Sequence, residues 1–271
     1  MKSTEAGLPA NSVTRRRLIA TALAAAATSA SPWARADEPH LLIYCGITMV
    51  RPITELARSF EQREKVRVTI TQGGSADLYL SAKKSRVGDL YFPGEPAYRT
   101  RYLPEGLLGE ATLVGYNQLA LFVRKGNPKA VRPDIHEIFR KDLTLMIGNA
   151  DSGSVGQETR QMLDALRLYP KAVEKADFLM PDSRAINLAM RRGEADIALN
   201  WRATAFFPDN APHVDAIDLD PKLAKPQALL LNLLTFSRQQ PLARKFMEHA
   251  ASPEGQAVFR KWGFLDNTAI R

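Results

Sequence analysis

The clearest pattern along the chain is a strand-period segment that stops at glycine and passes into a helix. Val66, Val68 and Ile70 alternate with polar residues, the period of a half-buried strand. Gln72, Gly73 and Gly74 break that alternation. Ser75 then opens a run from Ala76 to Arg86 in which Leu78, Leu80 and Ala82 are the apolar positions among good helix formers. This predicts strand, tight turn and helix, with a serine hydroxyl and free backbone N–H groups at the helix N-terminus. Donors and dipole together favour a small anion at such a place.

The same plan recurs on both sides. His40 to Cys45 is a continuous apolar run, suited to a strand buried on both faces of a parallel sheet. Gly46 to Pro52 breaks it, and Ile53, Leu56, Ala57 and Phe60 recur at helical spacing, with Thr48 where Ser75 stands in the other joint. Gly88 to Phe92 reads as a short buried strand ended by Pro93-Gly94, and a Tyr/Arg-rich loop with Tyr98, Arg99, Arg101 and Tyr102 follows. Tyr116 to Val123 is apolar and reads as an extended crossing into a second body.

In that second body Leu143 to Ile147 predicts a strand and 148–156 a glycine/serine loop. Gln157 to Arg167 predicts a helix with Met162, Leu163 and Leu166 inward. A further helix carries Ala185, Leu188 and Ala189, led in by Pro181-Asp-Ser-Arg184, where Asp182 or Ser183 can cap it. Ala195 to Leu199 is a strand ending at Asn200-Trp-Arg202. After His213 the chain returns through the long apolar strand Ala228 to Phe236. Two helices follow, from Pro241 and from Ser252-Pro253-Glu254, the second closed by Gly263-Phe264. Strands alternating with helices predict an α/β fold of two Rossmann-like lobes joined by a two-crossing hinge, with a ligand cleft at the carboxyl ends of the strands. Residues 37–117 and 214–271 form one lobe and 118–213 the other.

The N-terminus adds an address. A basic cluster, Arg15-Arg16-Arg17, precedes the short apolar segment Leu18 to Ala27, and Ala34-Arg35-Ala36 suits cleavage before Asp37. Residues 1–36 therefore read as a signal peptide. The consecutive arginines favour the twin-arginine route, with the Sec route as the alternative. The apolar run is too short to span a bilayer. The formal charge of +8 overstates the exported protein, because residues 1–36 hold five basic side chains and one acidic one, leaving about +4. That excess steers anions but is no nucleic-acid footprint. A single cysteine, Cys45, excludes an intrachain disulfide and reads as a small buried hydrophobe, a soft-ligand role being the alternative. The histidines show no metal-site spacing, and Ser81-Ala-Lys-Lys84 lacks the companion elements of acyl-enzyme proteins.

With these motifs in place, the exported chain resembles the bilobed periplasmic solute-binding proteins of ABC importers (type II fold), most closely their molybdate-binding branch. The ending from Pro241 to Phe264 is the general family mark. The resemblance implies a site made from the Thr48 hydroxyl, the Gly73-Gly74-Ser75 turn, a backbone N–H at Val155 beside Ser154, and another near Ser183. Where that branch has a tyrosine hydroxyl, this chain has Trp201, whose indole N–H donates but cannot accept. Arg51 and Arg202 also flank the candidate loops, whereas the molybdate site is largely made of neutral donors. Trp201 and Arg202 fit either a lid over the ligand or packing at the hinge.

The resemblance thus implies a monomeric periplasmic binder of a small tetrahedral oxyanion, molybdate- or tungstate-like, delivering it to an inner-membrane permease. No enzyme activity, cofactor or nucleic-acid partner is expected. A sensor-kinase partner and a sulfur or arsenic oxyanion are the alternatives. A deprotonated dianion needs several aligned donors and no facing carboxylate.

Overall fold

The computed structural model describes residues 39–266; the export signal expected over 1–36 lies outside them. The chain runs β1 (His40–Gly46), α1 (Val50–Glu64), β2 (Arg67–Gly73), α2 (Ser75–Ser85), β3 (Leu90–Phe92), α3 (Ala97–Tyr102), β4 (Leu108–Asn117) and β5 (Leu119–Arg124). It continues through β6 (Leu145–Gly148), α4 (Ser154–Ala165), α5 (Tyr169–Lys175), β7 (Phe178–Met180), α6 (Ser183–Arg191), β8 (Ile197–Trp201), β9 (Val214–Asp218), β10 (Gln227–Leu234), α7 (Gln240–Ala251) and α8 (Pro253–Lys261). No helix among the described residues is long and apolar enough to cross a membrane.

Two five-stranded sheets result, in the orders β2-β1-β3-β10-β4 and β7-β6-β8-β5-β9. In each, four strands run one way and a single strand, β10 in the first sheet and β5 in the second, runs against them. Parallel register decides where the loops go. Gly46 pairs with Gly73 and Cys45 with Phe92, so the turns after β1, β2 and β3 leave the first sheet at one edge. Gly148 pairs with Met180 in the second sheet, bringing the turns after β6 and β7 together in the same way. Two α/β lobes thus face each other across the carboxyl edges of their strands.

Each sheet has its own apolar core. Leu41, Ile43, Phe60, Leu231 and Phe246 belong to the first; Leu121, Ile147, Leu163, Ile186 and Leu199 belong to the second. β4 passes into β5 through Gln118 alone, the expected extended crossing. The return comes later than expected. β9 pairs with β5, and Leu219 and Ala224 lie in the second core, so the chain re-enters the first lobe just before Gln227 and not at 214. Val214-Asp-Ala-Ile-Asp218 has the mixed pattern of an edge strand, which is why it read as a connection. Conversely, Ala203 and Phe207 of the turn after β8 are buried in the first core.

Other corrections are local. The Tyr/Arg-rich loop contains α3, and Tyr79 stacks on Tyr102 at 3.8 Å between ring centroids. Leu166, expected inward, is exposed, as are Leu80 and Leu188. Ile186 and Met190 take the core positions of α6.

α4 packs against the end of β6 at glycine. A Cβ on Gly148 would stand 2.8 Å from the Gly156 nitrogen, and one on Gly156 would overlap the carbonyl of Asn149. The obstacle is backbone, which cannot rotate away. Gly156→Ala is expected to destabilise the fold by about 3 kcal/mol, read as a lower urea midpoint with an unchanged slope. An unchanged midpoint would show that the helix shifts without cost.

Candidate functional site

The facing edges enclose a cavity of about 270 Å³ lined by Thr48, Gly74, Ser75, Gly94, Ser154 and Ser183 among others. Ser75 and Ser154 are the first residues of α2 and α4. The residues before them, Gly74 and Gly153, have extended backbone and no side chain to cap either helix. Both helices therefore present uncapped N–H groups to the cavity. α6 differs, because Asp182 accepts from the Ala185 N–H at 2.8 Å and answers that terminus itself.

Hydrogen bonding decides which hydroxyls remain available. The Ser75 Oγ accepts from the Gly94 N–H at 3.0 Å, and the Ser154 Oγ accepts from the Trp201 indole N–H at 3.3 Å. Each keeps its own proton to donate. Thr48 is buried at the cavity wall. The Ser183 hydroxyl instead donates to the Asn200 Oδ1 at 2.6 Å, so it lines the cavity without offering its proton. Two carboxylates also reach the lining: Asp182, held at its own helix, and Asp77, in the first turn of α2. This departs from the expectation of a site without carboxylates.

The structure brings together Thr48, Gly74, Ser75, Ser154, Val155 and Ser183. Arg51 lies in an adjoining cavity of about 260 Å³, ion-paired to Asp209 and packed over Phe207. Trp201 and Arg202 line neither cavity. Trp201 is wholly buried and reaches the site only through Ser154. Arg202 bonds Asp218 at 2.7 Å and the Gly263 carbonyl at 3.0 Å, tying the turn after β8 to the end of the first lobe. Both side chains are thus engaged in contacts with Ser154, Asp218 and Gly263. Cys45 is fully buried at the end of β1, and burial pushes its thiol pKa well up, so it stays protonated apolar filling. Among the described residues no group of three or more His, Cys, Asp or Glu is placed to hold a metal ion.

Sequence reading missed the buried carboxyls of Glu95 and Glu158. Glu95 follows β3 in the first lobe, Glu158 lies on α4 in the second, and burial, then the charge of Glu158, raises the Glu95 pKa; the Glu95 Oε1 and the Glu158 Oε2 are both buried without a hydrogen-bond partner among the described residues. The Gln227 amide, from the first lobe, donates to the Glu158 Oε1 at 2.9 Å. A signal was present: Val155, Glu158, Thr159 and Met162 fall at the spacing of one helical stripe, so a carboxylate stood on the buried face of α4.

A family model described as bacterial extracellular solute-binding protein matches residues 41–265. A binding protein of Haemophilus influenzae is 21% identical over 227 residues, spanning 83% of this chain and 90% of its own length. The periplasmic molybdate-binding protein of Azotobacter vinelandii superposes with a TM-score of 0.72 at 14% identity, over 83% of this chain and 98% of that one. A sulfate-binding protein of Mycobacterium tuberculosis does so with 0.73 at 15%, over 86% and 89%. At these identities the structural likeness is one of fold.

Proposed function

Since the chain belongs to the bacterial extracellular solute-binding proteins, we propose that it binds a tetrahedral oxyanion group between its lobes, in the periplasm, and delivers the ligand to an ABC permease. Molybdate, tungstate and sulfate share that shape. The observation that carries this reading is the pair of uncapped helix N-termini, α2 from one lobe and α4 from the other, opening on one cavity with the hydroxyls of Thr48, Ser75 and Ser154. Neither lobe alone assembles the donor set, so binding and lobe closure are one event. Charge-assisted hydrogen bonds contribute roughly 1.5–3 kcal/mol each. Five or six such donors, less the cost of ordering, reach the roughly 12 kcal/mol of a nanomolar site. Asp77 at the mouth works against a dianion, and the mild positive charge of the exported chain works for it.

The test is a thermal-shift series of the purified protein against molybdate, tungstate, sulfate and phosphate. A ligand selective for the folded state stabilises by about 2.7 kcal/mol at a hundred times its dissociation constant. At least one of these anions is expected to raise the midpoint progressively. The absence of any shift up to about 10 mM would overturn the oxyanion reading, because even a millimolar binder registers there.

A further inference from the structure

The anion cavity has a neighbour that a bare oxyanion leaves empty. The two cavities, about 270 and 260 Å³, share Ile47, Thr48 and Ser183 in their walls and so lie side by side. A tetrahedral ion displaces only two or three waters of roughly 30 Å³ each. The second cavity is built for charge. Arg184, Asn187 and Arg191 fall at helical spacing on one face of α6 and all line it.

Among the described residues neither Arg184 nor Arg191 has a hydrogen-bond or ion-pair partner, whereas the third arginine of this cavity, Arg51, is paired to Asp209. Gln72, at the end of β2, faces the same space from the first lobe. Two unpaired guanidinium groups beside an anion pocket are a ready receptor for a second acidic group, because guanidinium meets carboxylate or phosphate with a planar fork of donors. The one carboxylate in this wall, Asp209, is occupied by Arg51.

Resting on the oxyanion reading above, we propose that the ligand is a small organic acid phosphate, its phosphoryl group held at the α2 and α4 termini and its carboxylate reaching Arg184 and Arg191. A small molecule with an acidic group at each end has a receptor for each of them in these adjoining cavities. A bare inorganic anion uses only the first. One end alone would leave the pair of arginines solvated and without a role in binding.

Calorimetric titration with phospholactate, inorganic phosphate and molybdate tests this, on the unaltered protein and on the variant carrying both Arg184→Ala and Arg191→Ala. Both arginines are solvent-accessible, and an unchanged melting point of the free variant confirms that it folds. Phospholactate is expected to bind at least about tenfold tighter than phosphate, a gain of about 1.4 kcal/mol. The double variant should lose that gain and leave phosphate affinity within about twofold, since simple charge steering would weaken both alike. If phosphate or molybdate binds and phospholactate binds no tighter, the organic-acid assignment is overturned while the oxyanion site stands. Equal weakening of both ligands by the double variant also overturns it. If none of the three binds, the oxyanion reading itself fails.

Discussion

A methyl group at Gly94 is expected to cost the protein most of its ligand affinity while leaving the free fold standing. Gly94 follows β3 in the first lobe, and its backbone meets the start of α4 in the second. A Cβ built there lies 2.6 Å from the Ser154 Oγ, 3.1 Å from the Ser154 Cβ and 3.6 Å from the Ser75 Oγ. Carbon contacts relax at about 3.5–4.0 Å, so the added methyl would wedge the lobes apart or turn the Ser154 hydroxyl out of its place between the Trp201 indole and the cavity. Gly94 is not in the left-handed region, so alanine suits its backbone and the lobes of the free protein can part to admit it.

Gly94→Ala should therefore weaken binding by about 10- to 100-fold, or 1.4–2.8 kcal/mol, with little change in the urea midpoint. Adding Ser154→Gly removes the obstacle, and a double-mutant cycle should show strong coupling between the two positions. Unaltered affinity for whichever tetrahedral anion binds best would mean that the lobes do not meet at this point when liganded. A large drop in free-state stability would instead make Gly94 a requirement of the first lobe.

This contact also marks where sequence reading ends. Thr48 and Ser75 were legible because each stands just after a strand that stops at glycine, and such joints converge at one sheet edge whenever the strands are parallel, whereas Ser154 and Ser183 were implied by the family resemblance. The strong apolar runs, His40 to Cys45 and Ala228 to Phe236, were legible for the same reason of pattern. β4 was not: Leu108-Gly-Glu-Ala-Thr112 does not alternate, and its pairing with β10 carries register shifts that tertiary contact tolerates and periodicity hides. β7 is three residues of mostly exposed chain and has no pattern to read. Trp201 and Arg202 looked like ligand arms because they end a strand at the cleft. Which way a side chain turns there depends on partners brought from elsewhere, Ser154 for one and Asp218 with Gly263 for the other. Interlobe contacts such as Gly94 against Ser154 join residues far apart in sequence and leave no local trace.

The other large effect expected is a loss of stability and of closure as pH rises through neutrality, and it comes from Glu95 and Glu158. Both carboxyls are buried, one from each lobe, and desolvation pushes them up to about 8 and about 7. The charge of Glu158 raises Glu95 further, while the Arg101 guanidinium pulls Glu95 back in part; the Gln227 amide favours the ionised form of Glu158. Tyr98, pushed up to about 12 by burial and then by the Glu95 charge, stays protonated throughout the range. The pair therefore holds one proton between its two carboxyls near neutrality. In the unfolded chain both groups titrate near 4.5.

Above that pH the folded state binds more protons than the unfolded one, so stability falls with rising pH, by about 1.4 kcal/mol per unit for each proton held. The fall ends near pH 8, where the second carboxyl ionises and two buried charges repel across the lobes. His249 acts in the opposite sense below pH 6.5, because its burial lowers its pKa and folding there releases a proton. The window from pH 6.5 to 8 thus belongs to the glutamates. Roughly 2 kcal/mol should be lost across it, read by urea denaturation, and ligand affinity should fall in parallel because the repulsion opens the cleft. Glu95→Gln replaces the shared proton with a permanent amide donor. That variant should be more stable than the unaltered protein at pH 8, and the fall of stability and affinity across the window should shrink to the smaller part that Glu158 alone still carries. A pH slope undiminished by Glu95→Gln would place the responsible groups elsewhere, and a variant weaker than the unaltered protein at pH 8 would mean that the pair is not held by a shared proton.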